Sequence, residues 1–417
     1  MSLEAISGIR RQPGYLRFIS AATLARVAHE MLPVGVVLLV LERTGSGTIA
    51  GATIAAVTLP SLVSGPLLGA WLDITGRRRL IMALDQVGIS ATLLLILLLA
   101  GHAPDALLPV AGLVAGITWP LSFGGFSSLI PTLVPDRLMH QANAFEVSSY
   151  NLALIAGPAL AGTLSAAVSP EAPLIAEICL TLAALCLILA TPTLDALRGM
   201  GRKGRSVPAV AAAGLRLLWS VAELRAVMAT GMLSLAGIGL LTVAFPFFAV
   251  EHLGADRAAA GYLWAAFAIG SMAGALTLVR LQHGRSPETI VIRGVAVFGA
   301  LMLLWPIQAD LVPMLLVVAA AGVADGPALA ATFATRQRHV PMELLGQVFT
   351  TGAGLKVGAF SLGSALAGPL VLAAGSSGAL VAAALVQFAA AGLGLALMRT
   401  ASLGPVPPGV RVSDEFP

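Results

Sequence analysis

Charge is what this 417-residue chain has least of. Asp, Glu, Lys and Arg together make up 11% of it, against roughly 25% in a soluble globular protein. A surface that could keep a globule of this length in water is missing. Aromatic residues are also few, at 5%, which argues against a wide cavity lined by stacking rings. The only cysteines are Cys179 and Cys186. Seven residues apart on a helix, they stand about 10 Å from each other, too far for an undistorted disulfide, and they read as packing residues. No Gly-x4-Gly-Lys-Ser/Thr loop occurs, so ATP hydrolysis is excluded as the energy source. No Asp-rich or His-x-Glu-x-His cluster is present to hold a catalytic metal. The pair His29-Glu30 meets Pro33 where a zinc protease needs its second histidine. Neither a metal nor a cofactor is expected. The first apolar run is too long for a signal peptide's apolar region and carries Arg26 and Glu30, so no cleavable leader is expected.

What the chain has in excess is apolar residues, 58% of the total, and glycine, at 45 residues. Apolar runs cover about 15–41, 48–71, 80–101, 107–129, 143–168, 173–191, 226–250, 258–280, 289–308, 311–334, 346–373 and 376–398. Twelve helices of the length needed to cross a hydrocarbon core of ~30 Å are therefore predicted. The fold class is an all-α membrane protein. Glycine suits it, because helices in lipid lack a hydrophobic drive toward each other and use small residues to pack closely. Of the 24 Lys and Arg, Arg43 and Arg257 fall in odd-numbered connections and Arg26 and Lys356 deep within spans; the rest lie at the termini, in even-numbered connections or, as Arg17, Arg280 and Arg293, within a few residues of the span ends on that side. This bias predicts that both termini are cytoplasmic. It also explains the basic net charge without nucleic acid. The expected location is the plasma membrane, a bacterial inner membrane.

The chain repeats itself at an offset of about 206. Val134-Pro135-x2-Leu138-x2-Gln141 aligns with Val340-Pro341-x2-Leu344-x2-Gln347, and Gly157-Pro-Ala-Leu-Ala-Gly162 with Gly363-Ser-Ala-Leu-Ala-Gly368. A similar offset pairs Glu42 and Gly45 with Glu251 and Gly254. Repeats six spans apart keep one orientation and build two six-helix bundles with a site at their midplane interface. The expected division is 1–191 for the first bundle, 192–223 for a cytoplasmic linker, 224–400 for the second bundle and 401–417 for a tail.

Between spans 2 and 3 lies Gly69-x3-Asp73-x2-Gly76-Arg77-Arg78-Arg79. This spacing resembles the loop signature between helices 2 and 3 of the major facilitator superfamily. The segment Gly214-Leu-Arg216-Leu-Leu-Trp219-x4-Leu224-Arg225, together with Gln141-Ala-Asn143-Ala-Phe145, is similar to the branch of macrolide-efflux-like and enterobactin-exporter-like proteins. The resemblance implies a secondary transporter working by alternating access. It also implies that Asp73 and Arg77 to Arg79 form a gate latch against the start of span 11, near Gly346 and Gln347. An acid is favourable at such a helix N-terminus; for Arg78 and Arg79 a purely topogenic, lipid-facing role is the competing reading. The second copy of the loop, at His283-Gly284-Arg285, keeps one glycine and one arginine and has no acid. Asp73→Asn is expected to slow transport without impairing membrane insertion, as measured by substrate flux against the level of inserted protein.

A Gly-Pro-rich helix 5 is associated in this superfamily with exporters that exchange substrate for protons. The chain keeps Gly157, Pro158 and Gly162, has Asn151 and Leu154 where further glycines would stand, and lacks an arginine within span 4. The leading expectation is a monomeric, proton-coupled exporter of small amphipathic molecules such as drugs. Its partners are that substrate, protons and the bilayer. A narrow-specificity exporter or importer of one metabolite, siderophore or sugar is the alternative. A membrane-embedded enzyme would need an acid pair or nucleophile that is not found, and a receptor would need a sensing domain.

Arg26, His29 and Glu30 stand at i, i+3 and i+4 in span 1 and share a face, where each charge costs at least ~2.5–3.5 kcal/mol in hydrocarbon. Glu30 is the first choice of proton carrier: low dielectric favours its neutral form and Arg26 its charged form. A fixed Arg26–Glu30 ion pair is the competing structural reading. Asp325 in span 10, beside Gly326-Pro327, is a second proton candidate. Lys356 in span 11 either neutralises Asp325, binds an anionic group or snorkels to the surface. Tyr150 and Asn151 share a face with Glu146 in span 5 and are candidate cavity residues; Glu146 is equally read as a solvated or latch residue. Asp85 and Gln86 read as structural partners of the basic loop, and Glu177 as interfacial. Gly157, Pro158, Gly162, Gly363, Gly368 and Pro369 read as bending and packing positions of spans 5 and 11.

Overall fold

The computed structural model describes residues 12–64, 67–68, 78–118, 126, 130–135, 138–191, 215–277, 285–340 and 342–402. The regular structure among them is helical. The principal helices are α1 Tyr15–Thr44, α2 Gly47–Thr58, α3 Arg78–Leu99, α4 Leu107–Thr118, α5 Met139–Ala167, α6 Ala172–Leu189, α7 Ala222–His252, α8 Ala259–Thr277, α9 Pro287–Met302, α10 Leu311–His339 and α11 Met342–Ser402. Nine helical stretches among the described residues are long and apolar enough to cross a membrane. The 61-residue α11 is two of these spans run together, broken at Gly375 with φ 73°. Counted as two, and joined by the shorter α4 and α9, these stretches fit the twelve spans expected.

The turns show why the chain reverses where it does. Gly45 (φ 67°) closes α1 with its amide on the Leu41 carbonyl, in a left-handed conformation that only glycine adopts freely. Gly254 takes the same left-handed conformation (φ 60°) after α7, where the Ala255 amide donates to the Ala249 carbonyl, so the repeated Glu-x2-Gly marks a glycine-closed helix end used twice. The Ser46 hydroxyl then accepts the amide of Ile49 at 3.2 Å and starts α2. At the opposite end, Arg17 donates to the Ala190 carbonyl at 3.0 Å and Arg79 to that of Leu189. Both arginines thus satisfy orphan carbonyls at the C-terminus of α6, where a cation also complements the dipole. The face carrying Gly45, Glu171, Gly254 and Gly375 is hereafter the upper face, and the end of α6 marks the lower one.

α1 packs between α5 and α6, and α7 lies along α11; α8 packs on α10, and α9 on α10 and α11. The first and second groups of helices meet where α2 runs along α11 and α5 along α8. The largest buried apolar cluster runs through both groups, from Val36, Leu39 and Ile54 to Phe245, Phe298 and Trp305. Large apolar side chains also cover the outside, among them Leu98, Val110, Ile175, Leu316 and Leu372. A surface of this kind is stable only against hydrocarbon. Cys179 and Cys186 belong to it: both are exposed on α6, so they face outward rather than fill the core as the sequence reading held. α6 directs Leu174, Thr181, Ala184 and Ile188 inward instead.

Candidate functional site

The middle of α1 carries a buried, tightly bonded charge. The Arg26 guanidinium is fully buried and grips Glu146 of α5 with two bonds, Nη2 to Oε1 at 2.5 Å and Nη1 to Oε2 at 3.0 Å. Nη1 also donates to the Ser149 hydroxyl at 3.0 Å, Thr23 donates to the same hydroxyl, and the cation lies 4.0 Å from the centre of the Tyr150 ring. Glu146, Ser149 and Tyr150 are spaced to share one face of α5, and the flat arginine fork matches a carboxylate offered by a facing helix. This corrects two readings from the sequence. Arg26 is not the partner of Glu30, and Glu146 is neither solvated nor at a latch but is the buried counter-ion of Arg26.

Glu30 is left without a cation. It is half-buried, and among the described residues no hydrogen bond, ion pair or neighbouring charge engages its carboxyl. Its backbone abuts Gly157 so closely that a Cβ there would lie 2.6 Å from the Glu30 Cβ. Three residues on, Pro33 removes one helical hydrogen bond from α1. His29 is buried beside it.

The other mid-membrane charges belong to α10 and α11. Asp325 and Lys356 are each half-buried and act on each other's charge, and the Ser271 hydroxyl of α8 lies 3.5 Å from the Asp325 carboxylate. Lys356 lies over Gly231 of α7, where a Cβ would come within 2.6 Å of its Cε. A third member is Arg336, buried near the lower end of α10, with its guanidinium 3.7 Å from the Met228 sulfur and acting on Lys356. Sequence reasoning missed it because the predicted span stopped at residue 334; the long run of Ala and Thr into Thr335 was the available signal. Tyr150 and Asn151 are half-buried on α5.

Two further acids lie deeper than expected. Glu177, read as interfacial, is completely buried against α1. Asp85 and Gln86 are buried in α3, with the Gln86 amide donating to Asp85 at 2.9 Å. The basic loop with which they were to pair, including Gly69, Asp73, Gly76 and Arg77, lies outside the described residues; of Arg78 only the helical backbone is described.

Toward the upper face the two groups of helices are sealed together. Gly47 and Gly51 of α2 sit on Gly368 and Ser364 of α11, and Gly162 of α5 on Gly261 of α8. A Cβ on Gly162 would stand 2.6 Å from the Ala258 carbonyl oxygen. Pro158, through its carbonyl, crowds the same glycine of α8, and Pro369 follows Gly368 inside α11. Gly363 meets Ala236 and Gly239 of α7. Deeper in the seam the hydroxyls of Thr58 and Ser361 lie 2.6 Å apart. Above it, Arg257 donates to the Leu41 carbonyl at 3.1 Å and approaches Glu42 at 3.5 Å. Arg43 bonds Glu171 and holds that carboxyl below the usual range. Beneath this seal is a narrow crevice, lined by Pro33, Val34 and Val37 of α1, Thr242 and Pro246 of α7, and Ala260 and Trp264 of α8. Trp264 stands edge-on to Phe245, which in turn lies 5.6 Å from Trp305.

Acids and cations set in mid-membrane, a seam of glycines between two helix groups and a sealed upper face define a membrane carrier. The chain belongs to the Major Facilitator Superfamily, whose pattern matches residues 18–363. It is 30% identical over 372 residues to the uncharacterized MFS-type transporter y4rN of Sinorhizobium fredii, covering 86% of this chain and 89% of that one. It is 28% identical over 378 residues to the multidrug efflux pump Tap of Mycolicibacterium fortuitum, covering 86% and 90%. Among solved structures it shares its fold with the nucleoside transporter NupG, at a TM-score of 0.73 and 11% identity over 92% of this chain and 99% of the other. A bacterial homolog of the human lysosomal transporter Spinster gives 0.71 at 15% identity, over 95% and 98%.

Proposed function

We propose that this transporter is a proton-coupled exporter of small amphipathic molecules, with Glu30 as the principal proton carrier and Asp325 as the second. One observation carries the reading. Gly157 packs on Glu30, and its counterpart in the repeat, Gly363, packs on Ala236 and Gly239 of α7. The same helix contact is made in one place by an acid and in the other by an alanine and a glycine. Packing therefore does not require the carboxyl, and because Arg26 is engaged by Glu146, no cation among the described residues neutralises it. An acid this costly to bury is retained for binding a proton. Likeness to the Tap pump supports drugs as the cargo class. Loop charges support cytoplasmic termini in a bacterial inner membrane, with the latch of Asp73 and Arg77 to Arg79 on the inner side. The protein works as a monomer, each with its own pathway between the two helix groups.

The test is efflux of a panel of dyes and antibiotics from a bacterium lacking its own drug pumps, with and without an uncoupler. Glu30→Gln is expected to abolish uncoupler-sensitive extrusion while sparing downhill exchange. Extrusion of nothing in the panel by well-expressed wild type would favour a single metabolite or siderophore as cargo. Extrusion indifferent to the uncoupler would end the proton reading.

A further inference from the structure

The proposal above uses the acids of the central region and leaves Glu177 out. This side chain lies in the second turn of α6, toward the upper face, and is 0% exposed. Neither carboxyl oxygen has a hydrogen-bond partner among the described residues. The carboxyl fills a notch in α1: a Cβ on Gly35 would lie 2.8 Å from its Oε1, with Pro173 and Leu174 closing the sides. The helices packed against α6 are α1, α5 and α3, and none of their charged groups engages the Glu177 carboxyl: Arg17 and Arg79 bond carbonyls at the opposite end of α6, and Glu42 is approached by Arg257. On α1, Arg26 is bound to Glu146 and Arg43 to Glu171, and Glu30 lies under Gly157. On α5 Glu146 is occupied by Arg26, and on α3 Asp85 is bonded by Gln86. No charge acts on Glu177 from any of them. The residue 206 positions later is Ala383, also buried, so this place in the bundle can be filled without a polar atom.

A carboxylate with no partner and no water is far costlier than the neutral acid. We infer that Glu177 is a second proton-binding site, separate from the central acids, that holds its proton while α1 and α6 are closed at the Gly35 notch and releases it when α1 bends. The bend has a built point, because Pro33 interrupts the hydrogen bonding of α1 one half-turn below Gly35. Opening there would admit water from the upper side, and the released proton would leave through the upper face. Resting on the proton-coupled reading, this adds a step to it: two protonation events per cycle, one central and one near the upper surface.

Infrared spectra of the purified full-length protein in lipid nanodiscs, with no substrate present, test this. A carbonyl-stretch component of a protonated carboxyl should be present at neutral pH in wild type and in the double variant Glu30→Gln with Asp325→Asn, and be missing from Glu177→Gln. In Gly35→Ala the added methyl opens the notch, and the pH at which the band bleaches should fall by about one unit or more, a tenfold weaker hold on the proton. A Glu177→Gln spectrum identical to wild type, or a Gly35→Ala midpoint that does not move, would overturn the assignment. Should the glutamine variant not fold, the alanine variant still decides, since it keeps the carboxyl. Uncoupler-insensitive transport would sink the proton-coupled reading alone, since these spectra involve no gradient.

Discussion

Arg26→Ala is expected to destabilise the protein by about 3–5 kcal/mol, the cost of leaving one member of a buried ion pair alone. The expectation is strong here because the pair is buried between α1 and α5. The Glu146 carboxylate accepts two bonds from the Arg26 fork, and the same cation supports Ser149 and the Tyr150 ring. Thermal unfolding in detergent should show the loss, and Glu146→Ala should show a comparable one. The double variant Arg26→Leu with Glu146→Leu should recover most of it, since an apolar pair of similar volume needs no counter-charge. Arg26→Lys should fall between, keeping the charge but losing the fork and the flat face. Single and double variants of equal stability to wild type would show that the pair contributes nothing.

Gly51→Val should block the closed upper face and reduce transport at least tenfold while leaving membrane insertion near normal. The backbones of α2 and α11 touch at this point, with the Ser364 carbonyl occupying the space a side chain would need. A carbonyl of a continuous helix cannot step aside as a flexible side chain can. The closed conformer is therefore penalised relative to one in which the helix groups part at the top. Labelling of an engineered cysteine at position 243, whose valine side chain borders the same glycine, should become faster. Gly162→Val should act the same way from the other seam, through Ala258 and Gly261. Unchanged labelling together with wild-type flux would show that the glycine contacts do not set the closed state.

The sequence made the spans legible because a lipid-facing helix must be apolar over its whole length, and that signal needs no knowledge of partners. It made the two αL turns legible too, since Gly45 and Gly254 stand at the ends of the matching runs. Pairing was not legible. The i, i+4 spacing of Arg26 and Glu30 suggests a bond within one helix, whereas the arginine finds its acid 120 residues away on α5. Facing positions on neighbouring helices leave no mark in a single sequence. Depth was also misread. Glu177 is five residues from the start of α6 and so looks interfacial, yet α1 offers a glycine notch that covers it. Arg336 escaped notice because polar residues continue beyond it and hide where the buried part of α10 ends. The two cysteines failed for the opposite reason: in lipid an apolar residue gains as much outside as inside, so composition cannot say which way it points.

The rings of α7, α8, α9 and the connection after α9 form a closed circuit of edge-on and tilted contacts, running Phe267, Trp264, Phe245, Trp305, Phe298 and back to Phe267. Interlocked aromatic planes resist shear, because sliding one past another forces the whole row out of register. The helices around α1 carry no aromatic circuit of this size among the described residues, and α1 is tied to α5 by the buried Arg26–Glu146 pair instead. Two copies of one ancestral unit would then have diverged in mechanical character, one an anvil and the other a hinge. The stroke of the carrier would be carried unequally, with most of the bending borne by the half that keeps Glu30.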